Sequence, residues 1–211
     1  MSLAGRTNGD SYRVLAAYSN TVVTITGKVV TITSEPADNL NPWTATSSNE
    51  VVVVTNQAGQ FYDIIVDGPV EFQASQSIQV AQFANGSWAD FIQPDPTKFP
   101  EGDPCEILLP PVGHYLQTNI VMTLPNDSVS GDFNENYLNL IVVQSGVTNV
   151  MVDGLTIPAT NFVAIKSSGY FGVQIPVTNG VHKVTSSQPI AVEVYGFGPA
   201  DAYGYHGGAV K

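Results

Sequence analysis

The chain has 211 residues of which 12% are charged, and seven Lys plus Arg stand against eighteen Asp plus Glu, a formal charge of -11. That balance repels phosphate backbones and anionic lipid, so nucleic acid and direct membrane insertion are excluded as primary modes of action. Val, Ile, Thr, Tyr, Phe, Gly and Asn recur throughout, the composition of an all-β protein with many tight turns.

Residues 1–10 are small and polar, with Asn8-Gly9 as a turn signal, and read as a disordered or cloning leader. Met1-Ser2-Leu3-Ala4 lacks the basic and apolar regions of a signal peptide, so a native signal is expected to have been removed. From Tyr12 to Tyr18 the residues alternate as a strand. Val22 to Thr26 and Lys28 to Thr33 then read as a hairpin around Gly27. Glu35 to Asn49, with Pro36, Pro42 and Trp43, is punctuated like a surface loop. The apolar run Glu50 to Thr55 is expected as a central strand. Gln60 to Val66, Val70 to Ala74 and Ile78 to Phe83 complete the first set.

Residues 85–135 break the pattern, since acidic and proline positions alternate there with Trp88, Phe91 and Phe99. Short strands at Glu106 to Leu109 and Asn119 to Leu124 suggest that this segment stitches its neighbours together. It carries the lone Cys105, which cannot form an internal bridge. With nothing basic nearby in sequence to activate its thiol, Cys105 reads as a small buried hydrophobe.

The first set of strands recurs. Tyr12 and Thr24-Ile25-Thr26-Gly27 answer Tyr137 and Met151-Val152-Asp153-Gly154 at offsets of 125 and 127. Gly59-Gln60-Phe61 and Ser75-Gln76-Ser77-Ile78 answer Gly169-Tyr170-Phe171 and Ser187-Gln188-Pro189-Ile190 at offsets of 110 and 112. The ordered series argues for internal duplication, with the Trp43 loop as an insertion in the first copy. At the far end Ile190, Val192 and Val194 mark one strand face, and Ala191, Glu193 and Tyr195 the other. The glycines from Gly196 to Gly208 then predict an irregular flap whose Tyr195 and Phe197 are buried and whose aromatics cover an edge or a seam.

Tyr195-Gly196-Phe197-Gly198, Asp201-Ala202-Tyr203-Gly204-Tyr205 and Gly207-Gly208 form one of several distinctive patterns. The upstream Gly102-Asp103-Pro104-Cys105-Glu106-Ile107 and the Ser168-Gly169-Tyr170 and Gly180-Val181-His182 segments accompany it. Together they resemble the N-terminal domain of the mucus IgG Fc-binding protein and its bacterial relatives, over nearly the whole chain. The resemblance implies a secreted or surface-displayed β-rich module. The immunoglobulin binding that names the family belongs to one animal member, and no contact residue is carried over.

Motifs for catalysis are weak. Gly9-Asp10-Ser11 matches a short esterase element but lacks the preceding strand and a correctly spaced Asp-His partner, so an esterase is rejected. Gly102-Asp103-Pro104 is followed by Cys105 where mucin autocleavage elements have histidine, so no cleavage is assigned. His114, His182 and His206 are too dispersed for a local zinc site and read as surface or hydrogen-bonded residues, with His182 at an exposed strand position. Asp90, Asp95, Glu101 and Asp103 could gather around calcium, although their spacing fits no EF-hand and a solvated acidic loop is the plainer reading. Trp43 and Trp88 on loops, with Tyr203 and Tyr205 in the flap, are the candidate ligand contacts.

The expectation is an all-β protein of two related antiparallel β-sandwich (jelly-roll-like) units, packed together. Its parts are the leader at 1–10, a first unit at 11–84, a connecting segment at 85–135, a second unit at 136–198 and the flap at 199–211. Its expected role is non-catalytic binding or adhesion, extracellular or at the cell surface, within a larger exported protein, with a protein or glycan partner and no cofactor. A carbohydrate-binding module is the alternative, and a structural spacer the second.

Overall fold

The computed structural model describes residues 1–5, 9–35, 51–86, 102–127 and 131–209. Trp43, Trp88, Asp90, Asp95, Glu101 and the expected Trp43 loop lie outside the described residues. The fold is all-β, as expected, and built from two large antiparallel sheets.

The first sheet holds β1 (Asp10–Ala16), β2 (Thr21–Glu35), β3 (Val51–Asn56), β4 (Phe61–Ala74), β5 (Ile78–Phe83) and β6 (Glu106–Leu109), in the order β3-β2-β4-β1-β5-β6. In the second are β7 (Leu116–Thr123), β10 (Glu135–Val143), β11 (Met151–Val152), β12 (Leu155–Thr156), β13 (Val163–Ala164), β14 (Tyr170–Val177), β15 (Gly180–Gly198) and β16 (Asp201–His206). Its order is β12-β11-β15-β10-β14-β13, with β7 and β16 also on β15. The pair β8 (Asn126–Asp127) and β9 (Gly131–Asp132) lies apart from both. The connecting segment gives β6 to the first sheet and β7 to the second, the stitching read from its sequence.

Each sheet folds over a core of its own. In the first, the β2–β4 ladder breaks between Thr26 and Lys28, and Val23 and Ile25 before the break share one cluster with Val29 and Ile64 beyond it. In the second, β15 shifts register between Thr185 and Ile190. Val184 before that shift and Val192 after it meet Leu138, Leu140 and Val142. A bulge is how one strand turns a sandwich corner and serves both layers.

The expected hairpin at Gly27 is corrected by this ladder. Residues 21–35 form one strand, because Thr26 faces Glu71 and Lys28 faces Asp67 on the same neighbour. A Cβ on Gly27 would stand 3.1 Å from the side chains of Val66 and Val70, so this glycine admits close packing and reverses nothing. The Val51–Asn56 strand, expected at the centre, is instead an edge of its sheet, with Val51 and Val53 exposed. A run of valines suits either position, since β-branched residues favour the strand itself.

The terminal flap is also corrected. β15 runs unbroken to Gly198, and β16 returns against it, pairing Glu193 with His206 and Gly196 with Tyr203. Its glycines are spaces for neighbours: a Cβ on Gly204 would lie 2.6 Å from Ile107, and one on Gly196 2.5 Å from the Tyr203 ring. Tyr195 and Phe197 are fully buried as expected. They join Leu3, Ala4, Ala84 and Ile107 in a third cluster, the seam between the two units.

Residues 1–5 are held in that seam instead of fraying. Leu3 and Ala4 are buried. The Leu3 N–H donates to Asp10 Oδ2 at 2.7 Å and the Ala4 N–H to the Tyr195 hydroxyl at 3.0 Å. Small residues, read as a leader for their low hydrophobicity, are what a narrow gap between sheets can take.

The two units share more than class. The triplets β4-β1-β5 and β14-β10-β15 have the same order. Thr24 pairs Gln73 and Ile25 pairs Phe72 in one, while Met151 pairs Thr185 and Val152 pairs Val184 in the other. These are the offsets of 127 and 112 seen in the sequence. Gly59 and Gly169, both left-handed with φ of 77° and 79°, precede β4 and β14.

Candidate functional site in the cleft between the units

Where the sheets part beside the seam, a cleft of about 390 Å³ opens, with one wall from each unit. The first unit contributes Tyr12, Phe72 and Val80, and the Leu109 to Val112 turn closes one end. Tyr12 is placed there by the alternation of β1, and its ring meets Phe72 at 5.3 Å between centroids. From the second unit come Tyr115, Ile165, Tyr170, Glu193 and His206. Tyr115 stacks on His206 at 6.0 Å and 20° between planes. The volume lies in the range of small-ligand pockets, and the lining is mostly apolar with a few polar groups, the usual composition of such sites.

Glu193 and His206 face each other directly across the β15–β16 ladder, so their side chains stand on one face of the sheet. Glu193 is 3% exposed. Its Oε2 accepts from Asn139 Nδ2 at 3.1 Å, and among the described residues no salt bridge reaches it. His206 Nδ1 donates to the Gly207 carbonyl at 2.7 Å, which leaves Nε2 as the other ring nitrogen to account for. That Nε2 is buried and has no hydrogen-bond partner in the protein. Burial, aided by the charge of Glu193, raises the Tyr115 hydroxyl far above the usual tyrosine range. The same causes, with Asp10, raise Tyr12, so both hydroxyls stay protonated.

Behind the cleft a polar network binds the N-terminal residues to both units. Asn139 Oδ1 accepts from the Tyr195 hydroxyl and from Gln174 Nε2, each at 3.1 Å. Asn139 and Gln174 also donate to the Ser2 carbonyl, at 3.2 and 2.9 Å. Gln82 donates to the Met1 carbonyl at 2.9 Å and to Asp10 Oδ2 at 2.8 Å. Desolvation lifts the Asp10 carboxyl to about 7, opposed by the Leu3 and Gln82 hydrogen bonds, and its Oδ1 has no partner. The Asp10 of the rejected esterase motif is therefore a buried structural acid.

Of the sequence-predicted site residues, the three that are described, Asp103, Tyr203 and Tyr205, do not line the cleft. Asp103 is exposed. Tyr203 packs edge-on against Phe133 at 5.0 Å, donates to Asn136 Oδ1 and accepts from the Leu124 N–H at 3.2 Å. The Tyr205 hydroxyl accepts from the Met122 N–H at 2.8 Å and donates to its carbonyl at 2.6 Å. Both hydroxyls fasten β16 to its neighbours. His182, expected at an exposed position, is buried, with Nδ1 2.7 Å from Asp153 Oδ2 and Nε2 2.8 Å from the Thr178 carbonyl. Cys105 is half-buried. Sequence reasoning missed Glu193 and His206 as a pair, although a lone acid inside the apolar run from Ile190 to Val194 was a signal available to it.

Among the described residues no three His, Cys, Asp or Glu side chains gather as a metal set, and no helix is long and apolar enough to cross a membrane. Two antiparallel sheets joined at a seam, with an apolar cleft beside it, define a β-rich module. The family whose model is described as IgGFc binding protein matches residues 1–196, and the chain belongs to that family. No curated protein and no solved structure matches the chain.

Proposed function

We propose that this protein is a non-catalytic binding or adhesion module, displayed at a cell surface or secreted as part of a larger exported protein, and that its partner is a protein. The observation that carries the reading is the family match over residues 1–196, which takes in strands of both sheets and most of the seam. The two units are read as products of one duplication, supported by the recurrent pairing of Thr24 with Gln73 and Met151 with Thr185. No cofactor is assigned. A calcium ion at Asp90, Asp95, Glu101 and Asp103 would reveal itself as a calcium-dependent rise in melting temperature.

The test presents the immobilised chain to an IgG Fc fragment, mucin, fibronectin and collagen, each before and after enzymatic deglycosylation, with a glycan array alongside. Saturable binding that survives deglycosylation is expected. Binding that vanishes with the glycan, and with Trp43→Ala or Trp88→Ala, would assign the module to carbohydrate. Failure to bind any of them would leave a structural spacer.

A further inference from the structure

We propose that the cleft between the units is a binding site for an organic cation, an ammonium group carried on an apolar body. The proposal stands on the cleft alone and does not depend on what partner the outer surfaces engage. Two polar groups line it: the Glu193 carboxyl, 3% exposed and held by one amide donor from Asn139, and the His206 ring, whose Nε2 has no partner. They are opposed residues on adjacent strands, so both stand on one face of the sheet. Glu71 supplies a second carboxyl on the opposite wall; among the described residues no lysine or arginine side chain lines the cleft, and Met1 of the chain itself lies against it.

A carboxylate held this far from water with a single amide donor costs free energy, and a positive charge offsets it best. The nearest aromatic faces have the complementary character. Tyr115, stacked on His206, and Tyr12 and Tyr170 line the same space, and electron-rich rings favour a cation over an anion. Val80, Leu109 and Ile165 leave the remainder for hydrocarbon. The formal charge of -11 adds long-range attraction of the same sign.

Isothermal titration and NMR on the full chain would compare phenethylammonium, its neutral alcohol analogue and phenylacetate. Saturable binding of the ammonium is expected, with the alcohol at least about tenfold weaker, the least that a charge-assisted hydrogen bond commonly gives. Phenylacetate should not bind. Glu193→Gln keeps the side-chain shape and should abolish the preference for amine over alcohol, whereas His206→Phe keeps the stack on Tyr115 and should weaken the amine while retaining part of that preference. Should Glu193→Gln fail to fold, the wild-type preference and shifts of the Tyr115 and His206 ring protons carry the test. Nα-acetyl-lysine amide binding at least as tightly would place the cation on a partner's lysine, and weaker binding would place it on a free amine. Equal affinity for amine and alcohol, an unchanged preference in Glu193→Gln, ring shifts elsewhere, or no amine binding at millimolar concentration would each overturn the site.

Discussion

Asp10 ties the pH response of this fold to its seam. Its folded-state value of about 7 lies above the ordinary 3.8, so the native state keeps a proton that the unfolded chain releases between those values. The stability it contributes is therefore complete below about pH 4 and lost as pH rises toward 7. At about 1.4 kcal/mol per unit the shift is worth roughly 4 kcal/mol at most. Asp10→Asn mimics the protonated acid. Chemical denaturation should find it close to wild type at pH 4.5 and progressively more stable than wild type up to pH 8, whereas parallel curves would mean that Asp10 is solvated. A second residue-scale test concerns Gly204, where a Cβ would strike Ile107 at 2.6 Å. Gly204→Ala should cost about 1–3 kcal/mol through overpacking. Gly86→Ala, whose new Cβ would sit 3.7 Å from Pro104, should be near neutral in the same melting experiment.

At the scale of elements, β16 and the N-terminal segment both pack on the seam, through Ala202 and through Leu3 and Ala4. Deleting 199–211 removes Tyr203 and its contacts with Asn136 and Phe133 and bares one edge of β15 next to Phe197. Each aromatic uncovered is worth roughly 1.5–3 kcal/mol, so the melting temperature should fall and aggregation should rise. An unchanged melting temperature and solubility would make β16 dispensable. Deleting residues 1–4 should also destabilise, since Leu3 is lost and Asn139 and Gln174 lose the Ser2 carbonyl. The strands Ile78–Phe83 and Glu106–Leu109 were readable to the residue, because alternation within a short strand is a local property. Gly27, Gly196 and Gly204 were misread as breaks. Whether a glycine turns the chain or admits a neighbour's side chain depends on Val70, Tyr203 and Ile107, which are remote in sequence. The edge position of Val51–Asn56 was hidden for the same reason, since valine preference does not encode what lies beyond a strand. The cleft is the most remote case, since the residues that line it beside Glu193 come from distant parts of the chain.

As a whole molecule, the protein is two β units, each with its own core, welded by the cluster of Leu3, Ala4, Ala84, Ile107, Tyr195 and Phe197. The proposed cation site has one wall from each, so it exists only while the seam holds. Family resemblance was legible in the glycine-aromatic pattern, two residues of which, Tyr195 and Phe197, prove to belong to the weld. Hydrogen–deuterium exchange by mass spectrometry along a urea series tests that weld most directly, because amides report the opening of each unit separately. Peptides from β1 and from β10 should lose protection together, in one cooperative transition at a single urea concentration. Loss of protection in one unit while the other stays closed would contradict the account, showing two domains that merely touch and a cleft that neither maintains.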